Sequence, residues 1–230
     1  MKLVINEKLI QRNRTIGNIA SVVGIAILAA GLILNFNPTP TKTLISFGAL
    51  LVGFIISQVS TYFVTRFGRK PRYDEIIAEN LEKMSDDYTF YVYNSPVSML
   101  LVGPHALWIP TPVVASGEIY YNKKWKQRGG RFLMKIFGQE NLGRPEVEVQ
   151  SNEKDIRKFL GKHFEGDQLP PIKSILVSLH PKATIGDVDD APIPIVQTDA
   201  LRRTIRRDDR NAEEEIAREK LDKINQLLST

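Results

Sequence analysis

The chain has no cysteine. That excludes disulfides and thiolate metal sites, and it suits a reducing compartment. Histidine is scarce too: His105, His163 and His180 are the only three, and none has a partner at metal-ligand spacing. No Ser-His-Asp arrangement, nucleotide-binding loop or redox motif is present, and no internal repeat or low-complexity run. The most informative scarcity is of charge. Thr15 to Thr41 has none; Lys42 follows; Thr43 to Thr65 again has none.

The two uncharged stretches carry apolar cores, TIGNIASVVGIAILAAGLILNF and TLISFGALLVGFIISQVSTYFV. Each is about 20 residues, the length of a helix that spans a hydrocarbon core of roughly 30 Å. Buried helices of a soluble protein rarely run so far without a charge. The first stretch is also too long for a cleaved leader and has no small-residue cleavage site after it, so both read as retained spans. The short link NPTPTK joins only antiparallel neighbours, and a helical hairpin over 15–67 is expected, after an N-terminal segment 1–14. Lys2, Lys8, Arg12 and Arg14 precede it, and Arg66, Arg69, Lys70 and Arg72 follow it. The positive-inside rule then places both termini in the cytoplasm at a plasma (inner) membrane. Neither span holds an ionisable residue, which argues against a transporter, channel or proton relay. Small residues recur at packing intervals, Ala20 with Gly24 and Ala49 with Gly53, although membrane helices contain many small residues in any case.

The hairpin and its flanks also account for the basic balance. Residues 73–230 hold 22 basic and 25 acidic side chains, a net of −3 against +5 for the whole chain. Nucleic acid is therefore not the expected partner of this part.

In 73–230 the pattern alternates. YDEIIAENLEKMS sets Ile76, Ile77, Leu81 and Met84 on one helical stripe. YTFYVY (88–93), VSMLLV (97–102), ALWIPTPVV, GEIYYNKKW (117–125), KSILVSL (173–179) and IPIVQ (193–197) read as strands. Asn152 is expected to cap EKDIRKFLGKHF and Thr198 to cap DALRRTIRR. RFLMKIFG reads as a short helix or lid. From Asn211 a charged helix carries Ala217, Leu221, Ile224 and Leu228 on a stripe too short for an independent coiled coil, so it is expected to pack on its own domain. The expected fold class is α+β or α/β: a transmembrane helical hairpin, a mixed-sheet domain over 73–207 flanked by helices, and a C-terminal helix over 208–230.

One strand is anomalous. ALWIPTPVV places Pro110 and Pro112 two residues apart, so one side of the strand loses two backbone donors in succession. That order of elements, an Asp-Glu-led helix, an aromatic strand, an apolar strand ending LLVGP, a turn, another apolar strand and then SGEIYYNKKW, resembles the nuclease-related domain (NERD) family. So do Gln150 with its following helix, KSILVSL, IPIVQ and the capped helix. The resemblance spans roughly Tyr73 to Arg207. The family is similar to the PD-(D/E)XK nucleases and Holliday-junction resolvases, which implies a metal-dependent site on a mixed sheet. Its four side chains fall on Glu75, which matches, on Ser98 in place of an Asp, and on Pro110 and Pro112 in place of a Glu and a Lys. Two carboxylates there would hold Mg²⁺ or Mn²⁺ and activate water; proline has neither charge nor donor. The resemblance thus implies a pseudo-nuclease without a cofactor, acting as a binding or scaffold module for a protein partner or a second copy of itself, or as an accessory subunit of a membrane complex. No small-molecule substrate is evident. The alternative is a metal-dependent nuclease in which Glu118 acts as a migrated carboxylate.

A basic loop, KKWKQRGGRFLMK, offers Lys123, Lys124, Lys126, Arg128 and Arg131 to phosphates, either lipid headgroups or nucleic acid; the plainer account is a solvated loop. An anionic-lipid surface sensor is the further alternative that follows. LRRTIRR is expected to be a solvated amphipathic helix, and GDVDDAP a surface turn that lacks the length and closing Glu of an EF-hand loop.

Overall fold

The computed structural model describes residues 1–130, 142–164 and 169–229. The chain forms two compact units, one made of Met1–Asn6 with Tyr73–Thr230 and the other of Glu7–Arg72. The expected short helix or lid at 131–138 lies outside the described residues.

The second unit is a helical hairpin. Helix α1 (Glu7–Leu34) and helix α2 (Pro40–Phe63) are joined by a short turn, and α2 runs on into one π-helical turn at Val64–Gly68. Thr39 starts α2 by accepting from the Lys42 N–H, with Pro40 in the first turn, where its missing donor costs nothing. The hairpin closes along a seam of small residues at intervals of seven. Gly17, Gly24 and Gly31 are the buried small residues of α1, and Ser46, Gly53 and Ser60 those of α2. The backbones approach so closely that Ser46 donates to the Gly31 carbonyl at 2.7 Å and Ser60 to the Gly17 carbonyl at 3.0 Å. Of the four small residues expected to pack, Gly24 and Gly53 lie in the seam and Ala49 faces Gly31 beside it. Large apolar side chains point outward: Val22, Ile25, Phe36, Leu44, Phe47 and Leu51 are each more than half exposed. Windows in the helical stretches Glu7–Leu34 and Pro40–Leu81 reach mean hydropathies of 2.2 and 1.8 with 17% of each buried, so both are long and apolar enough to cross a membrane.

The first unit is built on a six-stranded mixed sheet. Its strands are β1 (Lys2–Ile5), β2 (Thr89–Val92), β3 (Met99–Val102), β4 (Leu107–Val113), β7 (Ile172–Ser178) and β9 (Ile195–Gln197), in the order β1-β2-β3-β4-β7-β9. A second, three-stranded sheet places β5 (Gly117–Tyr121) between β6 (Trp125–Arg128) and β8 (Ala183–Ile185). Helices α3 (Tyr73–Leu81) and α5 (Leu201–Arg210) cover one face of the large sheet, where Ile77, Leu81, Leu201 and Ile205 bury against Phe90, Leu101 and Trp108. Helices α4 (Pro145–Leu160) and α6 (Arg218–Leu228) cover the other, where Ile156, Leu160, Ile224 and Leu228 meet Tyr91, Leu107 and Ile109. A third cluster joins the two sheets through Val113, Leu176, Ile119 and Trp125. The small sheet needs a glycine at its start: Gly117 has φ +80°, and a Cβ there would lie 2.4 Å from the Arg128 carbonyl oxygen.

Several elements differ from expectation. The N-terminal segment 1–14 is divided: Lys2–Ile5 pair in parallel with Thr89–Val92, and α1 begins at Glu7, ahead of Lys8, Arg12 and Arg14. Helix α4 starts at Pro145, so Asn152 sits inside it rather than capping it. Proline at the first turn, with Glu146 and Glu148 there and Arg157 and Lys158 in the last, is the stronger start signal. Thr198 does not cap the final-domain helix either; its hydroxyl donates to the Ser178 carbonyl at 2.7 Å, and a 3₁₀ turn, Thr198–Ala200, precedes α5. The C-terminal helix starts only at Arg218 and packs on its own sheet as expected, tied down by Tyr91 donating to Asn225 Oδ1 at 2.9 Å and Asn94 to the Leu228 carbonyl at 3.0 Å.

Candidate functional site

The proline pair is explained by the pairing of β4. On one side β4 runs parallel to β7 along its whole length, from Leu107 opposite Ile172 to Val113 opposite Ser178. On the other it pairs with β3 only at Trp108 opposite Leu101 and Leu107 opposite Val102. The Leu107 N–H donates toward β7, to the Pro171 carbonyl, and Val113 accepts there from Leu179. Backbone groups alternate in direction along a strand, so Pro110 and Pro112 face away from β7, past the end of the β3 ladder. In that register Pro110 would face Met99 of β3, so its missing donor falls where the β3–β4 ladder stops.

Side-chain parity places two of the four family-equivalent positions. Pro110 and Pro112 share the face of Trp108, opposite Ile175 and Val177, and α3, which carries Glu75, lies on that face. Ser98 lies in the bend just before β3, its carbonyl accepting from the Tyr93 N–H. Glu118 lies on β5 in the small sheet, 3.4 Å from Arg128. Among the described residues no three His, Cys, Asp or Glu side chains gather at a spacing that could hold a metal.

The basic loop is a β-hairpin. Lys123 and Lys124 occupy the exposed turn between β5 and β6, with Lys123 at φ +59°. Lys126 is half-buried on β6, and Arg128 is engaged by Glu118 and lies over the Tyr120 ring at 5.2 Å. Arg131 lies outside the described residues.

Polar groups converge instead at the N-terminal end of β7. Asp209 on α5 is buried, and it accepts from the Tyr88 hydroxyl at 2.5 Å and from the Trp108 indole N–H at 3.1 Å. Burial first, then the hydrogen bond to Asp209 and its charge, raise the Tyr88 pKa far above the ordinary tyrosine range. Its neighbour Asp208 is half exposed and binds Lys173, whose ammonium lies 5.5 Å from the centre of the Trp108 ring. On the other face of the sheet Ser174 donates to Glu153 of α4 at 2.7 Å. Trp108, Asp208, Lys173, Glu153 and Ser174 line a crevice of about 230 Å³, together with Pro192, Ile193 and Pro194. Sequence reading passed over it, because its residues come from four elements and form no motif. A larger, open cleft of about 520 Å³ has mainly charged walls, among them Lys2, Asp86, Asp87, Arg218 and Asp222.

No protein-family model matches the chain, and no curated protein or solved structure matches it.

Proposed function

We propose that this chain is a membrane-anchored, non-catalytic module of the nuclease-related type, which binds or scaffolds a protein partner at the cytoplasmic face of the plasma membrane as an accessory subunit. The anchor reading is supported by the apolar exterior of the hairpin and by its seam, packed too tightly for a polar pathway. Lys2, Lys8, Arg12 and Arg14 before it, and Arg66, Arg69, Lys70 and Arg72 after it, favour a cytoplasmic location for both flanks. The connectivity gives independent support. The chain leaves the α/β unit after Asn6 and rejoins it at Tyr73, so β1 and the rest of its sheet belong on one side of the bilayer.

The nuclease-related reading draws on the element order α3-β2-β3-β4-β5-β6-α4-β7, with α3 and α4 on opposite faces of a mixed sheet. The observation that carries the loss of catalysis is the proline pair on the open side of β4, where the family keeps an acid and a lysine. A metal-activated water needs at least two oxygen ligands held together, and Glu75 has no carboxylate partner at Ser98, Pro110 or Pro112. The test is incubation of the full-length protein with single- and double-stranded DNA in Mg²⁺ or Mn²⁺. The expected result is no cleavage by either the wild type or Glu75→Ala. Cleavage that Glu75→Ala abolishes would overturn the proposal and restore the nuclease alternative.

The exposed Lys123 and Lys124 favour a second reading, contact of the β5–β6 turn with anionic headgroups. It predicts salt-sensitive binding to phosphatidylserine vesicles that is lost when both lysines are neutralised.

A further inference from the structure

The crevice beside β7 has an origin in backbone chemistry. β7 and β9 pair in parallel from Leu176 opposite Ile195, and the Leu176 N–H donates to the Pro194 carbonyl at 2.9 Å. In such a ladder the next bond back would run from residue 194 to the Ser174 carbonyl. Residue 194 is proline and has no N–H. The ladder stops there, the segment 192–194 leaves the edge, and a space of about 230 Å³ opens. Ser174 is only 8% exposed, and no described donor reaches its carbonyl, which faces this space. A buried acceptor without a donor is costly, so the site favours a ligand that donates.

Glu153 is a second acceptor at this edge, and the donors of the lining, Lys173 and the Trp108 indole, are engaged by Asp208 and Asp209. Glu153 takes the Ser174 hydroxyl on Oε1, and no cation is within ion-pair distance of it among the described residues. Lys173 does not neutralise Glu153. Alternation along β7 sends the Lys173 side chain to the Trp108 face, where Asp208 holds it, and the Ser174 side chain to the α4 face with Glu153. Ile193 and Pro194 supply an apolar wall. An unpaired carboxylate, an unpaired carbonyl and an apolar wall fit a donor-rich cation with an alkyl stem.

We propose that this crevice is a binding site for an organic cation, a guanidinium or primary ammonium group on an alkyl stem, held by Glu153 and the Ser174 carbonyl against Ile193 and Pro194. The site stands whether or not the domain is a scaffold. Such a group comes free in solution or at the end of an arginine or lysine side chain of a protein.

The full-length protein in detergent micelles is titrated by calorimetry with ethylguanidinium chloride and with a capped tripeptide centred on arginine, against sodium chloride at equal ionic strength. Saturable binding in the millimolar range or tighter is expected. Glu153→Gln keeps the bond to Ser174 but removes the charge, and should weaken binding about tenfold or more. Pro194→Ala restores the missing N–H, fills the Ser174 carbonyl and should also weaken it. Lys173→Met removes a positive charge from the crevice lining and leaves Asp208 unpaired, so it should tighten cation binding. Equal binding of both probes makes the free cation sufficient, and binding of the peptide alone makes a protein side chain the source; either supports the site. No saturation beyond the salt control, or unchanged affinity in Glu153→Gln, overturns it.

Discussion

Two glycines of α2 should respond in opposite ways to the same methyl group. At Gly53 a Cβ would lie 2.7 Å from Leu28 Cγ and 2.8 Å from Leu28 Cδ2, with the Leu28 backbone nitrogen at 3.2 Å. Carbon contacts settle at about 3.5–4.0 Å, so Leu28 or its helix must retreat by roughly 1 Å. Overpacking of this kind costs about 1–3 kcal/mol. At Gly48, in the same helix, a Cβ would meet nothing within 4 Å. The gain in helix propensity from glycine to alanine, about 0.8–1 kcal/mol, is common to both sites and cancels. Gly53→Ala should therefore be less stable than Gly48→Ala by about 1–3 kcal/mol, roughly 5- to 150-fold in the unfolding equilibrium. The seam hydroxyls of Ser46 and Ser60 contribute less, about 0.6 kcal/mol each by comparison with other membrane helices. Packing rather than hydrogen bonding therefore dominates the hairpin. The assay is SDS-titrated unfolding in mixed micelles, with Gly53→Ala/Leu28→Ala as the rescuing double variant. Equal midpoints for the two alanine variants, or a Gly53→Ala hairpin that resists SDS better, would refute the close approach.

Asp209→Ala leaves the Tyr88 hydroxyl and the Trp108 N–H buried without an acceptor; at about 1–3 kcal/mol per orphaned group it should cost about 2–6 kcal/mol in chemical denaturation of the α/β unit, with Asp209→Asn much milder. Because its environment raises the Tyr88 pKa, the fold favours neutral tyrosine. That contribution is complete below the unfolded value of about 10 and fades as pH climbs above it, and Tyr88→Phe should flatten the alkaline limb of a stability–pH profile. Pro110→Thr with Pro112→Thr restores two donors on the unpaired side of β4; stability should change by under about 1 kcal/mol, while self-association measured by analytical ultracentrifugation should rise, because an open edge pairs with other edges.

The hairpin was legible because lack of charge over a fixed length is a strong one-dimensional signal. The strands of the large sheet were also legible, since Val, Ile, Phe and Tyr runs between Gly-Pro and Asn-Ser turns carry local information. Even the proline anomaly pointed to lost pairing on one side of the strand, and the β3–β4 ladder stops at Trp108. What failed was non-local. KLVI at 2–5 is four residues long and reads as a lead-in to a membrane span; its partner, Thr89–Val92, lies beyond both helices. Nothing local marks Ala183–Ile185 as a strand of a separate sheet. The polar crevice was invisible for the same reason: Trp108, Glu153, Lys173 and Asp208 meet only once the sheet is assembled. Thr198 misled because a threonine ahead of a helix has more than one available acceptor, and here a neighbouring strand carbonyl takes its hydroxyl.

The claim most central to this account is that one α/β unit is held to a membrane by both ends of a hairpin, with its sheet on a single side. The absence of cysteine allows a clean test. Single cysteines are placed at Asn37 in the hairpin turn, at Leu3 in β1 and at Ser151 in α4, and intact bacterial cells expressing each variant are treated with a membrane-impermeant maleimide. The account predicts labelling of Asn37→Cys in intact cells, and of Leu3→Cys and Ser151→Cys only after permeabilisation. Labelling of Leu3→Cys and Ser151→Cys from opposite sides, or protection of Asn37→Cys, would contradict it.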